Sequence, residues 1–395
     1  MRVGLLTYHW VPNFGAQLQT LSTYKFLERN GYNPIIINWI PDDTKKYYDK
    51  TVDLDQHAKH KEFLKSYCAQ TEAFANADDF PKVIDQNGIT HVVIGSDSLF
   101  NIGKSKFDLY KRRKTYPSED HTFPNPFWGK GFEDIPHVGL SISSQNARYK
   151  DFKKERDSIG EKLRKFNAVT VRDVWTQSLV SYFTRGDIIP EVTPDPVFGF
   201  NTNVPVMLTR EDVLKKFNLP EKYILFSFAK GRLQAEKEWL DSIVKKFHGE
   251  GYGCIMLPKL GGGQLLDLDV AIPSPLSPID WYYLIKYSNG YIGVLMHPIV
   301  VSLHNAVPCF SFDSYGTGPL LLTKKSSSKI YDILERADIL QCHFMMRNHL
   351  SFPSSDRVFR CIMDFPKEKC ERFAAVQQEK CLTNMNNLMK ELTRL

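Results

Sequence analysis

Apolar residues along this chain fall in short runs of strand length, separated by amphipathic stretches of helix length. Residues 2–8 (RVGLLTY) form the first apolar run, and the turn-rich HWVPNFG follows. Leu18, Leu21, Tyr24 and Leu27 then recur at helical spacing until Gly31, and PIIINWI (34–40) reads as a second buried strand. A strand–helix–strand unit of this kind predicts a parallel sheet covered by helices. The rhythm continues. Helix-like DDFPKVIDQNG leads into the strand HVVIGS (91–96), then come HVGLSIS (137–143), a charged helix over 148–166, the strand AVTVR (168–172) and the helix DVWTQSLVSYF (173–183).

Between about 186 and 220 the pattern dissolves into Pro, Asn and Thr, which marks a join between domains. A second wound unit opens with KYILFSFAKG (222–231), followed by a helix from about 234 to 248 and the strand YGCIMLP (252–258). A glycine-rich loop, KLGGGQ (259–264), and the helix SPIDWYYLIKYS (277–288) precede YIGVLMHPIVVSLHNAVPCFSFDSYG (291–316). That last stretch reads as strand, tight turn, buried helix and second strand. A final helix spans 366–393, with Phe373, Val376, Cys381 and Met385 as its expected buried stripe. The predicted fold is α/β: two facing doubly wound, Rossmann-like domains, 1–200 and 201–345, with a helical tail, 346–395, crossing back. That is a GT-B-like architecture. Residues 42–80 and 101–136 read as irregular insertions rich in aromatics and charge.

Composition narrows the class. A chain of 395 residues exceeds one ordinary core, so two domains of ~150–200 residues are expected. With 42% apolar and 24% charged residues it reads as a soluble globular protein. No apolar run reaches the ~18–20 residues of a membrane span, and MRVGLLTYHW lacks the features of a signal peptide. Seven scattered cysteines without CxxC spacing predict reduced thiols in a cytoplasmic protein, not a disulfide frame or zinc site. The net charge of +6 is mild, and no nucleic-acid partner is expected. The basic stretches YKRRK (110–114) and KKERDSIGEKLRK (153–165) read as a solvated loop and helix face. The alternative is peripheral contact with the inner face of an anionic membrane or a lipid-phosphate acceptor, where each cation gains about 1 kcal/mol.

In an open parallel sheet, ligands bind outside the carboxyl ends of the strands. That rule selects Tyr8, His9, Asn13 and Gly15 after the first strand, and Ser96 and Asp97 after the third. In the second half it selects Lys230 and Arg232, Lys259 before three glycines, and His297. Pro298 suits the first helical position, where its missing N–H costs nothing, which places His297 at or near the N-cap. Beside unpaired N–H groups and the positive end of a helix dipole, a histidine can hold phosphate or move a proton. The competing reading is a buried histidine bonded to a nearby carbonyl. Asp97 reads either as a general base or as the cap of a turn. Lys230 and Arg232 read as an anion clamp or a solvated turn. The GGG at 261–263 has neither P-loop nor GxGxxG spacing, and no HExxH, acidic DxD or GxSxG motif supports a metal or a nucleophile elbow.

At these residues the sequence resembles the polysaccharide pyruvyl transferase family. LLTYHWVPNFGAQLQTLSTYKFLERNGY (5–32) is similar to that family's first strand, Asn-x-Gly turn and Leu-Gln helix. VVIGSDSLFN (92–101) resembles its GSDQxWN strand end, while VTVRDVWTQSLV (169–180) and VTPDPVF (192–198) resemble its SVRE and DPVF segments. Residues 277–313 resemble its helix, strand and histidine turn. The resemblance implies transfer of pyruvate from phosphoenolpyruvate to a pair of sugar hydroxyls as a ketal, in the synthesis of surface or capsular polysaccharide. The implied partners are phosphoenolpyruvate and a saccharide acceptor, free or lipid-linked, with no metal or other cofactor. His297 would deliver a proton or contact phosphate, Asp97 would be the acceptor's base, and Lys230 and Arg232 would clamp the donor. The chain departs from the family where Arg-x-His is common: it reads Leu295, Met296, His297. Arg232 is the expected substitute for that arginine. Two other functions stay open: a nucleotide-sugar glycosyltransferase with Asp280 or Asp313 at the ribose, and a non-catalytic scaffold of the same fold.

Overall fold

The computed structural model describes the chain except for residues 109–111, 146, 315, 317–326, 347–348, 350 and 395, and the side chains of 106–108, 113 and 232. Its described residues form two six-stranded parallel sheets and one short hairpin. The first sheet contains β1 (Arg2–Leu6), β2 (Asn33–Ile36), β3 (His91–Asp97), β4 (His137–Ile142), β5 (Ala168–Val171) and β6 (Glu191–Val192), in the order β2-β1-β3-β4-β5-β6. The second contains β7 (Tyr223–Ser227), β8 (Gly253–Met256), β9 (Val270–Ala271), β10 (Gly290–Gly293), β11 (Cys309–Asp313) and β12 (His343–Met345), in the order β9-β8-β7-β10-β11-β12. Order reverses at β1/β3 and at β7/β10, the places where doubly wound sheets open a ligand crevice. The expected pair of Rossmann-like halves is what the chain builds. Its central strands are buried on both faces, which is why they read as unbroken apolar runs.

The helices that position the site are α1 (Phe14–Arg29), α2 (Asp42–Thr51), α3 (Leu54–Tyr67), α4 (Pro278–Lys286), α5 (Met296–His304), α6 (Lys329–Arg336), α7 (Ser355–Met363) and α8 (Lys367–Leu392). Periodicity correctly marks Leu18, Leu21, Tyr24 and Leu27 as buried, but α1 is buried on its polar face too, from Phe14 to Tyr24. The helix lies between its own sheet and the second domain, so its polar side chains must find partners inside the protein. Most do: Gln17 donates to His9 O (2.7 Å), Ser22 to Pro196 O (2.7 Å) and Gln19 to Asp195 Oδ2 (2.5 Å), while Thr23 Oγ1 has no partner among the described residues.

Contacts between the halves are specific. Phe14 stacks on Trp281 with centroids 5.1 Å apart and planes at 11°. Gln56 of α3 donates to Leu276 O (2.7 Å) and accepts from Leu276 N (2.8 Å) and Ser274 Oγ (3.0 Å). Helix α8 crosses back. The Cys370 thiol donates to Leu303 O (3.6 Å) in the second half, whereas Asn384 reaches Thr170 (3.4 Å) in the first. Met385, Leu388 and Met389 pack there against Phe26, Leu27, Val93, Val138 and Leu140.

Several expectations need correction. Cys381 and Met385 are buried and Phe373 partly so, but Val376 is 46% exposed because it turns away from the surface α8 covers. Residues 42–80 are not irregular. They hold α2 and α3, and α2 escaped notice because it buries only Thr44 and so has no apolar stripe. The charged helix over 148–166 is a 3₁₀ turn, Tyr149–Phe152, followed by Arg156–Leu163. Residues 101–136 include an antiparallel hairpin, Lys106–Asp108 with Arg113–Thr115, and the Tyr110–Lys111 part of its basic tip lies outside the described residues. Among the described residues no helix is long and apolar enough to cross a membrane.

If α8 is the strap between halves, Met385→Ala should cost about 2–5 kcal/mol of stability. Urea unfolding followed by circular dichroism checks this, and an unchanged midpoint would contradict the packing described.

Candidate active site

The carboxyl end of β3 and the starts of α1, α5 and α6 converge on a cleft of about 190 Å³ between the halves. Its polar lining is Asn13, Asp97, Ser98, Gln145, Lys259, His297 and Lys329.

His297 comes from the second domain. Helix α5 begins at Met296 with Leu295 as N-cap, so His297 is its second residue and Pro298 its third, one step deeper than expected. Proline is tolerated there because none of the first four N–H groups has a helical partner. The imidazole is 9% exposed, and its Nε2 is buried without a hydrogen-bond partner among the described residues. Its ring rests on the first domain: a Cβ added to Gly15 would lie 1.9 Å from His297 Cγ and 2.1 Å from Nδ1. Gly15 is therefore a glycine because an imidazole from the other half occupies its side-chain space. Burial lowers the His297 pKa to about 4, against the upward pull of Asp195 and Asp97. The ring is neutral at neutral pH.

Asp97 ends β3 with φ at +119°, a conformation L-residues rarely adopt. Its Oδ1 accepts from Ser98 N (2.7 Å), so the turn-capping role is real, yet the same side chain lines the cleft. Burial opposes its ionisation, but Arg172, Lys329 and the Ser98 N–H together hold it below the usual carboxylate range. Behind it lies Arg172, 2% exposed, bonded through Nη1 to Asp195 (2.6 Å) with Nη2 3.7 Å from Asp97. Its Nε and Nη2 are buried with no hydrogen-bond partner among the described residues. A buried guanidinium between two carboxylates fixes positive charge under the cleft floor. Lys329 opens α6 and is half-buried. Burial and Arg172 lower its pKa to about 8, while Asp97, Asp173 and Asp195 oppose the shift. Lys259 reaches the cleft from the loop after β8, its ammonium donating to Gly261 O (2.6 Å) and its pKa lowered by burial.

The structure brings together His297, Asp97, Asn13, Gly15 and Lys259 from the residues selected in the sequence. Asn13 caps α1, accepting from Gly15 N (3.0 Å) and Ala16 N (3.3 Å). Tyr8, His9 and Ser96 do not line the cleft. They hold its surroundings: Tyr8 donates to Asp120 (2.8 Å), His9 bonds Thr7 O (3.0 Å) and Asn38 (2.9 Å), and Ser96 donates to Ser141 O (2.6 Å). Lys230 is exposed and lines no part of the cleft, and the Arg232 side chain lies outside the described residues. Beside Lys230, Gly231 borders a wider groove of about 800 Å³ where Glu236, Asp241 and Asp267 outnumber Lys237, a poor setting for an anion. Asp280 pairs with Lys216 (2.7 Å), and Asp313 accepts from Ser328 Oγ. Sequence reasoning missed Arg172, Asp195, Gln145 and Lys329. Arg172 and Asp195 sit in VTVRDVW and VTPDPVF, whereas Lys329 carries no motif beyond Ser328 capping its helix.

A model of the polysaccharide pyruvyl transferase family matches residues 13–315, from the cap of α1 past the end of β11. The chain belongs to this family. As a member it is a transferase by descent, and no curated protein matches its sequence. Among solved structures it is similar to UDP-GlcNAc 2-epimerase from Neisseria meningitidis bound to UDP-GlcNAc, at TM-score 0.56 and 11% identity over 99% of each chain. It also resembles the S. aureus MnaA–UDP structure (TM-score 0.53, 11% identity, 99% of this chain and 96% of that one). The UDP-GlcNAc 2-epimerase of Methanocaldococcus jannaschii is a third (TM-score 0.50, 10% identity, 100% and 99%). At such identities these likenesses establish the fold. In this pyruvyl transferase family member the match spans both walls of the cleft.

Gly15→Ala should lower the melting temperature, and adding His297→Ala should recover most of the loss because the clashing ring is gone. A single variant as stable as the parent would contradict the contact. A pH dependence follows as well. His297, His60 and His304 have pKa values lowered by burial to about 4, about 4 and about 3. Unfolded, each titrates near 6.5, so between there and about 4 the unfolded chain binds more protons and stability falls as pH drops. His304, whose two ring nitrogens lack partners among the described residues, contributes most simply. His304→Leu should flatten the decline in melting temperature across that window, and an unchanged slope would refute the assignment.

Proposed function

We propose that the chain transfers the pyruvyl group of phosphoenolpyruvate to two hydroxyls of a saccharide, forming a ketal and releasing phosphate. The observation that supports this most is the cleft itself. Two lysines and a neutral histidine at a helix start surround a space beside an ionised aspartate. In the reaction an acceptor hydroxyl adds to C2 of the enolpyruvyl group while C3 takes a proton. The C2–O bond to phosphate then breaks, and a second hydroxyl adds to C2 as its proton leaves. Asp97 is charged at neutral pH and suits the hydroxyl proton. Lys329, Lys259 and the first N–H groups of α5 suit the donor's phosphate and carboxylate. His297 is neutral in the free protein. A dianion beside it would raise its pKa, so donor binding primes it to protonate C3 or the leaving phosphate.

On this reading Leu295 does not leave the donor short of a cation. Lys329 and Lys259 line the same cleft as Leu295 and supply compensating charge, while the Arg232 side chain lies outside the described residues. A surface polysaccharide or its lipid-linked precursor is the proposed acceptor class, with galactose- or mannose-type sugars as first candidates. Basic stretches such as 153–165 would then face the membrane that carries it.

The test is a thermal-shift panel of phosphoenolpyruvate against nucleotide-sugars. Saturation at 100 times Kd adds about 2.7 kcal/mol of stability. Stabilisation by phosphoenolpyruvate, with phosphate released when acceptor is added, is expected. Stabilisation by a nucleotide-sugar alone would move the chain to the glycosyltransferase reading. His297→Ala should lower turnover by about 10²-fold or more. Lys329→Ala should weaken the donor by about 10- to 100-fold, as loss of a charge-assisted contact does. Because Lys329 loses its proton near pH 8, donor affinity should fall as pH rises through that value, and Lys329→Arg should carry it to higher pH. Titrations of wild type and variant across pH 6–10 check this, and coincident curves would remove Lys329 from the donor site.

A further inference from the structure

A second cleft, of about 340 Å³, lies where α7 leaves the edge of the second sheet and α8 begins; its lining includes Cys342, Cys361, Arg357, Arg360 and Asp364. It contributes no lining residue to the cleft described above. Cys342 ends the 3₁₀ turn Leu340–Cys342 that feeds β12, and Cys361 sits on α7. Each thiol reaches the other's backbone: the Cys361 thiol donates to Gln341 O (3.2 Å), beside Cys342, and the Cys342 thiol lies 3.9 Å from Cys361 O.

The two thiols are not equivalent. Cys342 is 1% exposed, whereas Cys361 is half-buried at the cleft wall. Arg357 donates to His343 O (3.3 Å) and Gln341 O (3.5 Å), which fixes its charge beside the pair. The neighbouring Cys342 thiol and the charge of Arg357 hold the Cys361 thiol below the ordinary range against burial and Asp364, while Cys342 is pushed up by Cys361 and by burial. A partly exposed thiol next to arginine, with a second thiol beside it, is the arrangement that oxidises stepwise. The other thiols of this domain lack it: Cys254, Cys309 and Cys370 are buried, their pKa values raised by burial.

We propose that Cys361 and Cys342 are the attacking and resolving thiols of a peroxide-sensitive pair that closes to a disulfide. The Cys361 thiolate attacks one oxygen of hydrogen peroxide, the O–O bond breaks, and a sulfenic acid and water form once a proton is taken up. The Cys342 sulfur then attacks the sulfenic sulfur, the S–O bond breaks, and a second water leaves. Two thiols and one peroxide become one disulfide and two waters, the sulfurs losing the two electrons that the peroxide gains. The bond would tie the turn before β12 to α7, immediately ahead of the helix that straps the two halves together.

The test treats the reduced full-length chain with one equivalent of hydrogen peroxide, alkylates it under denaturing conditions and maps the peptides. A Cys342–Cys361 cross-link that dithiothreitol reverses, with Cys254, Cys309 and Cys370 fully alkylated, is expected. In Cys342→Ser the sulfenic acid on Cys361 should persist and react with dimedone, and in Cys361→Ser peroxide sensitivity of the region should vanish. A sulfenic acid that accumulates on Cys361 of the native chain without cross-linking would overturn the proposal. So would a bond from Cys342 to Cys309, or a chain that loses no thiol.

Discussion

The contact of the His297 ring with the Cα of Gly15 organises the rest of the structure. It joins the start of α5 in the second domain to the start of α1 in the first, with no side chain between them. Around that contact the end of β3, the loop after β8 and the start of α6 supply the other groups that line the cleft. The Phe14–Trp281 stack, the Gln56 bridge to residues 274–276 and the crossing of α8 hold the halves in this relation.

Closeness at that point carries an electrostatic consequence. Burying an imidazole without a partner for Nε2 removes its charge, Arg172 helps keep Asp97 ionised, and burial together with Arg172 makes Lys329 easily deprotonated. Neutral histidine, charged aspartate and a lysine near its titration point thus coexist in one small space. Acid–base work on an anionic substrate calls for groups whose environments push their pKa values apart.

Much of the fold was legible in the sequence, because strands buried on both faces leave unbroken apolar runs and βαβ order leaves few topologies. What escaped were elements whose stability comes from elsewhere. Helix α2 has almost no buried face, and α1 buries polar residues whose partners, such as Asp195, lie far along the chain. In the site, His297, Asp97, Asn13, Gly15 and Lys259 could be found because the carboxyl ends of parallel strands are where ligands gather. Lys230 misled for the same reason: it follows β7, but it is exposed and lines no part of the cleft. Lys329 was hidden because nothing local distinguishes it, and Arg172 because its motif does not reveal which charges it meets. Their importance comes from charges that only the folded chain brings near.

The claim at the centre of this account is that the small cleft between the halves is the donor's anion site. A crystal structure of the chain with phosphoenolpyruvate bound tests it most directly. The account predicts phosphate and carboxylate oxygens within hydrogen-bond distance of His297, Lys329 or the first N–H groups of α5. Phosphoenolpyruvate seated instead in the wider groove beside Gly231, with the small cleft holding only water, would contradict it.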